Sequence, residues 1–425
     1  MGELAAVNSR PPAVEGEASP EAAALNTRAG TVGRPGPFDP HMRSSAWQSG
    51  MAGLLAWRNL AYDRARLAVT LTGVTFAVVL VAIQIGLFLG FSETTTTVIR
   101  NTRADLWIAA KGTQTFETAS PIGEREFYRL LSIPGVRHAE PLIVQYVTWQ
   151  KPGGGDEGVM LIGFDLATGL AKPWNLVEGA LADLRTPDAV VVDTVYLDKL
   201  GLTGTGATVE INDHRARVVA LTEGIRSFTT SPWVFTSFRN AQKMTGLFDG
   251  QANYFIAQAS PDVDMQELRD AIQAALPDAS VYASEEFAEH TRDYWMLSTG
   301  AGAALMTAAL LGLMVGAVIV AQVLYATTMD HIAEFGTLRA MGAPRSFIYR
   351  VIAGQALFAG LIGHAAGISV ALVVAKLSEN FAALILVPLP VVVGLLPLTL
   401  LMCVLASMMS IRKAMTIDPA LVFQR

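Results

Sequence analysis

The residues best able to hold a metal or act as nucleophiles are six histidines, at 41, 138, 214, 290, 331 and 364, and a single cysteine, Cys403. They do not stand at ligand spacing. The sequence has no cysteine pair, no H-E-x-x-H and no G-x-S-x-G, so it offers no zinc site, iron–sulfur site or serine nucleophile of a known pattern. One cysteine also excludes an intrachain disulfide. No G-x-x-x-x-G-K-[ST] loop is present to cradle phosphates, so this chain is not expected to hydrolyse ATP by itself. His364, Gln84, Gln322 and Gln355 lie inside long apolar stretches, where a polar side chain is either functional or bonded to a neighbouring helix. The cost of leaving it unpaired favours packing for His364. No row of carboxylates runs through those stretches to relay protons, which argues against an ion-driven carrier.

The densest run of contact chemistry is Asp330-His-Ile-Ala-Glu334-Phe-Gly-Thr-Leu-Arg339-Ala-Met-Gly342-Ala-Pro-Arg345. Ile332, Phe335 and Leu338 give it a short helical pattern that ends at Gly342. A plain polar connector needs no such helix. Three small-xxx-small pairs also stand out: Gly86 with Gly90, Gly312 with Gly316, and Gly363 with Gly367. That spacing lets helix backbones meet closely, within one chain or across a dimer, although glycine is frequent in membrane helices anyway.

The elements that must position these residues follow from composition. The chain has 425 residues, 52% hydrophobic and 16% charged, with a mean hydropathy of +0.39. Soluble domains carry about 25% charged residues, so this surface is short of charge for water. A net charge of −6 and a pI near 5.6 argue against a nucleic-acid partner. Four uncharged stretches, 67–92, 294–329, 351–375 and 380–411, reach the roughly 20 residues that a spanning helix needs.

The spans are placed at 67–92, 294–325, 347–375 and 383–411. Arg58, Arg64 and Arg66 precede the first, Arg339, Arg345 and Arg350 lie between the second and third, and Arg412, Lys413 and Arg425 follow the fourth. The positive-inside rule therefore puts both termini and loop 326–346 in the cytoplasm, and residues 93–293 outside it. Trp57, Tyr325 and Tyr349 would mark the inner interface, and Tyr294 and Trp295 the outer one. Residues 1–50 are rich in Ala, Gly, Pro and Glu without periodicity and are expected to be disordered, and Met51 is a second candidate translation start. Residues 51–66 read as an interfacial helix, and 412–425 as a cytoplasmic tail.

The 93–293 insert is long enough for its own core. Strand, helix and strand patterns at 104–109, 123–132 and 136–149 are mirrored at 253–258, 264–275 and 280–283. Two such units flanking an insertion predict a split ferredoxin-like α+β domain, with a strand-rich subdomain over about 157–240 and a flexible hairpin tip at Gly153-Gly-Gly155. The fold class expected is thus an α+β membrane protein with four transmembrane helices and a large extracytoplasmic insert between the first two. The first span is expected to continue through Thr94–Ile99, and a helix begun at Ser284-Glu285-Glu286 to run unbroken through Trp295 into the second, giving two rigid stalks.

From about Met51 onward the sequence resembles the FtsX-like/MacB-type permeases of ABC transporters, most closely the DevC-like branch. The resemblance rests on Trp57-Arg-Asn-Leu60 before a span containing Phe76-Ala-Val-Val-Leu80, on the His331–Gly342 run, and on Arg412-Lys-Ala414 through Asp418-Pro-Ala420. Ala189-Val-Val-Val-Asp193 through Leu200-Gly-Leu is similar to the family's extracytoplasmic domain. The resemblance implies a permease dimer and a separate ABC ATPase subunit gripped by Glu334, Phe335, Thr337, Leu338, Arg339, Met341 and Gly342. It further implies a periplasmic membrane-fusion adaptor leading to an outer-membrane duct. No cofactor would be bound directly, ATP being used by the partner. Motion of the outer domain would expel a lipid, glycolipid or other amphipathic substrate from the membrane. An alternative within the same resemblance is an FtsX-like regulator that signals ATPase state to a cell-wall hydrolase without transport. A membrane-anchored enzyme with its site in the insert is disfavoured by the missing catalytic constellation.

Overall fold

The computed structural model describes residues 53–58, 62, 64–229 and 231–414. The expectations for 1–50 and for the tail beyond 414 lie outside the described residues.

The first long helix, α1 (Arg64–Asn101), has 38 residues, about 57 Å at 1.5 Å per residue, almost twice a typical hydrocarbon thickness. Its last turns are rich in threonine, a weak helix former. There Thr94, Thr95 and Thr97 donate their hydroxyls to the carbonyls of Gly90, Ser92 and Glu93 at 2.9, 2.7 and 2.8 Å, which satisfies these hydroxyls within the helix itself.

The head follows in chain order: β1 (Leu106–Ala110), β2 (Ile122–Gly123), α2 (Glu124–Leu131), β3 (Val136–Gln150), β4 (Asp156–Phe164), β5 (Leu176–Glu178), β6 (Ala189–Asp193), α3 (Leu197–Leu200), β7 (Thr208–Ile211) and β8 (His214–Thr222). After these come β9 (Trp233–Ser237), α4 (Phe238–Thr245), β10 (Gln251–Ala252), β11 (Tyr254–Ala259), α5 (Met265–Ala275) and β12 (Ala279–Ala283). The main sheet runs β12-β1-β11-β3-β4-β9-β6-β8-β5, with β7 on β3 and β8. Its first four strands are antiparallel and carry α2 and α5 in the connections, which is the split ferredoxin-like arrangement. β3 unites the halves. It pairs with β11 over Val136–Leu142 and with β4 over Ile143–Gln150, so its 15 residues serve both the ferredoxin-like and the β-rich parts.

Two helical stalks leave this sheet. One is the end of α1; the other is α6 (Ser284–Asp293). The aromatic core of the head reaches into both, with Val98 and Ile99 from α1 and Phe287 and Ala288 from α6 packed around Trp107. The second stalk departs from the expected unbroken helix. A π-helical turn occupies Tyr294–Ser298, with Thr299 N–H bonded to Tyr294 O at 3.2 Å, and Gly300 adopts a left-handed φ of +78° before α7 (Ala301–Asp330) begins. Only glycine takes that conformation cheaply. Gly302 deepens the break, since a Cβ there would stand 2.3 Å from Met296 O.

The bundle is completed by α8 (Ile332–Ala340), α9 (Arg345–Ser378) and α10 (Leu389–Ala414). Four helices, α1, α7, α9 and α10, are long and apolar enough to cross a membrane. They share one core, from Val74, Ala77 and Val78 of α1 to Val320 of α7, Ile368 of α9 and Cys403 of α10. The apolar run from 383 becomes helical only at Leu389, because Pro388 disfavours helical geometry at the residue before it. Residues 53–58 are helical and pack on α9. Ala56 is fully buried beside Ile348 and Ile352, and the Trp57 ring meets Phe358 edge-on at 5.7 Å. At the polar site in the bundle, Thr399 Oγ1 lies 3.4 Å from His364 Nδ1.

Candidate coupling surface and head–bundle junction

At the end of the bundle remote from the head, α8 fills the connection between α7 and α9. Its stop is written in the sequence. Gly342 takes a φ of +92°, and Ala343 N–H reaches back to Leu338 O at 3.0 Å, the Schellman closure that a left-handed glycine permits. Pro344 then sits at the cap of α9. The helix has two faces. Phe335 is only 5% exposed and packs with Ala56, Ile348, Val351 and Ile352, with Leu338 half-buried against the same cluster. Glu334, Thr337 and Met341 lie on the opposite face, exposed, with Met341 at 76%. Gly342 is exposed beside them, and the side chain of Arg339 lies outside the described residues.

Of the residues expected to meet the ATPase subunit, Phe335 and Leu338 pack on this chain's own α9. Periodicity identifies an apolar stripe but not its partner, and here the partner is the chain's own α9. The free apolar group is Met341. Glu334 Oε1 lies 3.0 Å from His331 Nδ1, at an angle that makes no hydrogen bond among the described residues.

The six paired glycines all face neighbours in the same chain. Gly312 and Gly316 lie against Leu80 and Ala77 of α1, and Gly363 and Gly367 against Val74 and Val78. Gly86 and Gly90 receive the extended segment 384–387, with Leu386 N–H donating to Gly86 O at 3.0 Å.

At the head end the stalks are tied to each other. Arg100 of α1 donates Nε–H to Glu285 Oε2 of α6 at 3.2 Å, and this guanidinium holds the Glu285 carboxyl below its usual value. Arg269 of α5 pairs with Glu286 at 2.7 Å. Both ion pairs are exposed, so each stabilises by at most about 1 kcal/mol and serves mainly to orient α6. Glu140, by contrast, is fully buried. It accepts the N–H groups of Leu170 and Ala171 at 3.1 and 3.0 Å, and burial pushes it up to about 7 despite those bonds.

The π turn has its own latch. Trp295 donates Nε1–H to Glu117 Oε2 at 2.9 Å, and its ring lies 4.7 Å from that of Phe228, which meets Phe91 of α1 at 5.4 Å. Glu117, Arg226 and Phe228 carry no motif, and nothing local in the sequence marks them as neighbours of the spans. Glu117 Oε1 is buried with no partner among the described residues. Burial pushes this carboxyl from its ordinary 4.5 up to about 7 against the lowering effect of the Trp295 bond.

An acid raised in this way binds a proton on folding between the two values. The fold therefore loses stability as pH rises from about 4.5 to 7, by up to about 3 kcal/mol at 1.36 kcal/mol per unit. Glu117→Gln removes that loss. Its melting temperature relative to the unmodified chain is expected to rise between pH 5 and pH 8 in thermal scans of the detergent-solubilised protein. The same difference at both values would rule out titration of Glu117 in this range.

Comparison with known proteins places these features. The profile of the MacB-like periplasmic core domain matches residues 67–275, and that of the FtsX-like permease C-terminal region matches 306–419. Uncharacterized ABC transporter permeases of Mycobacterium bovis and Mycobacterium tuberculosis are each 25% identical over 371 residues, 87% of this chain and 98% of theirs. Among solved structures, the periplasmic region of MacB from Actinobacillus actinomycetemcomitans is similar to 44% of the chain, over 92% of its own length, at 13% identity and a TM-score of 0.35. The extracellular domain of YknZ from Gram-positive bacteria is similar to 42%, over 98% of its length, at 14% identity and a TM-score of 0.33. With the core domain set behind its first span and the permease region closing the bundle, the chain belongs to the MacB/FtsX-type permeases of ABC transporters.

Proposed function

We propose that this permease is a mechanical transmitter: a separate ABC ATPase subunit grips α8, and the α1 and α6 stalks carry the resulting motion to the head. One observation carries the reading. The α8 helix is fastened to α9 through Phe335 and Leu338 while Glu334, Thr337 and Met341 are turned away from the chain. A helix bound firmly on one side and bare on the other transfers force from whatever binds the bare side. In this reading α8 and both termini are cytoplasmic, as the arginines around them favour, and the head is periplasmic. The chain binds no nucleotide itself and is not an enzyme. It works as a dimer with a periplasmic membrane-fusion adaptor and an outer-membrane duct, and exports a lipid, glycolipid or other amphipathic substrate taken from the membrane. Its affiliation to the DevC-like branch belongs to the same proposal.

Glu334→Lys with Met341→Asp tests the grip without touching the packed face. Both sites are exposed, so the permease itself is expected to fold normally. Its co-purification with the ATPase subunit should fall at least about tenfold, the equivalent of 1.4 kcal/mol, from loss of one charged and one apolar contact. Undiminished complex would sink the assignment of this face.

A further inference from the structure

The two stalks are not the head's sole connection to the bundle. Residues 223–229, which join β8 to the segment before β9, leave the β-rich half of the head and touch three helical elements of the junction. Phe228 lies between Phe91 of α1 and Trp295 of the π turn. Arg226 reaches the third. Its Nε–H donates to Phe381 O at 3.2 Å and its Nη2 to Glu379 O, the carbonyls at and just past the C-terminus of α9. Helix ends leave their last carbonyls without intrahelical partners, and a guanidinium there meets the negative end of the dipole with a rigid fork of donors.

The loop is fixed on the head side as firmly as on the bundle side. Ile225 is buried, and its N–H donates to Asp193 Oδ2 at 2.7 Å. Ser227 N–H donates to the Tyr196 hydroxyl at 2.9 Å, and Trp233 Nε1–H donates to Arg226 O at 3.2 Å. Asp193 ends β6 and Trp233 begins β9, so both belong to the β-rich half. Ala382, one residue beyond the bonded carbonyl of Phe381, packs directly against the core of that half.

We propose that loop 223–229, through Arg226, is a third mechanical coupling, by which displacement of α9 reaches the β-rich half of the head without passing along either stalk. It deepens the transmitter reading and rests on it, because only four residues separate α9 from α8, the face assigned to the ATPase subunit. Over its 34 residues α9 is a strut about 50 Å long, with the ATPase face at one end and Arg226 at the other. The stalks, by contrast, enter the head beside Trp107, in the ferredoxin-like half. The two halves share β3 and one buried core, so the loop gives the β-rich half a direct attachment to α9 in addition to the one it has through the stalks. Arg226 is a positioning residue: it holds the end of α9 and touches no substrate.

Hydrogen exchange on the full chain in lipid nanodiscs tests this, with and without the co-purified ATPase subunit. In Arg226→Ala, without nucleotide, amides of 380–387 should exchange about tenfold faster while β4 and β6 keep their protection, which shows that the head is still folded. Arg226→Lys, which keeps the charge but not the fork, should fall between. With the ATPase subunit and ATP, residues 193–196 and 223–229 of the unmodified chain should change protection, and Arg226→Ala should abolish that response while ATP turnover persists. Unchanged exchange at 380–387, or an undiminished head response in Arg226→Ala, overturns the strut and leaves the transmitter reading standing. If no ATPase subunit engages the unmodified chain, the coupling falls together with the reading beneath it.

Discussion

Trp107→Ala is expected to loosen the head from both stalks at once and to lower its stability by about 4 kcal/mol. The indole is fully buried in β1. Its ring centroid lies 5.7 Å from Phe116, 5.5 Å from Tyr254 and 5.3 Å from Phe287, the last of these a stalk residue. Its Nε1–H donates to Ser284 Oγ at 3.1 Å, at the first turn of α6. Val98 and Ile99 close the same core from α1. Truncation leaves a cavity bounded by a sheet and two helices. The helices are held from the bundle below and cannot simply collapse inward, so the cavity cost is not relieved by repacking. For a domain near 200 residues, 4 kcal/mol corresponds to a drop of about 10 °C in the melting temperature, readable by circular dichroism of the full chain. Trp107→Phe separates the two contributions. It keeps an aromatic ring and loses the Ser284 bond, and should cost about 1 to 2 kcal/mol. A fall of under about 3 °C for the alanine variant would show that the stalks are not cemented through this residue.

The sequence reveals some of this architecture and conceals the rest, for physical reasons. The spans are legible because lipid demands long uncharged runs, and nothing else in the chain imitates the four at 67–92, 294–329, 351–375 and 380–411. The ferredoxin-like units are legible because each helix ends at a proline, Pro134 or Pro277, before the next alternating strand. The break in the second stalk is not, because it depends on the left-handed φ of Gly300, and nothing in the sequence separates that glycine from described ones with negative φ. Which way α8 faces is also hidden. Phe335 and Leu338 would give the same stripe against a partner or against the chain itself, and only the nearness of Ala56 and Ile348 decides. Arg226 and Glu117 are the hardest to foresee. Their partners lie 155 and 178 residues away, and no local period records a contact at that separation.

The glycine pairs sharpen the same point into a prediction of sign. Alanine is the better helix former by up to about 1 kcal/mol, so Gly→Ala within a span should be neutral or stabilising wherever a Cβ finds room. At Gly312 the nearest atom would be Leu80 Cδ2 at 3.2 Å, the tip of a flexible side chain that can move aside. At Gly90 a Cβ would stand 1.9 Å from Leu384 O and 2.8 Å from Leu384 C, both backbone. That backbone belongs to the segment bonded to Gly86 O through Leu386 N–H, so it cannot retreat without giving up the bond. Gly312→Ala is therefore expected to change stability by less than about 1 kcal/mol, while Gly90→Ala should cost about 3 kcal/mol, the upper part of the range for overpacking. Thermal unfolding of the two variants in detergent gives the comparison directly. Equal melting temperatures would mean that the segment before α10 is not seated on α1. The expected difference would mean that Gly90 makes room for a neighbouring backbone and that Gly312, despite the same spacing motif, does not.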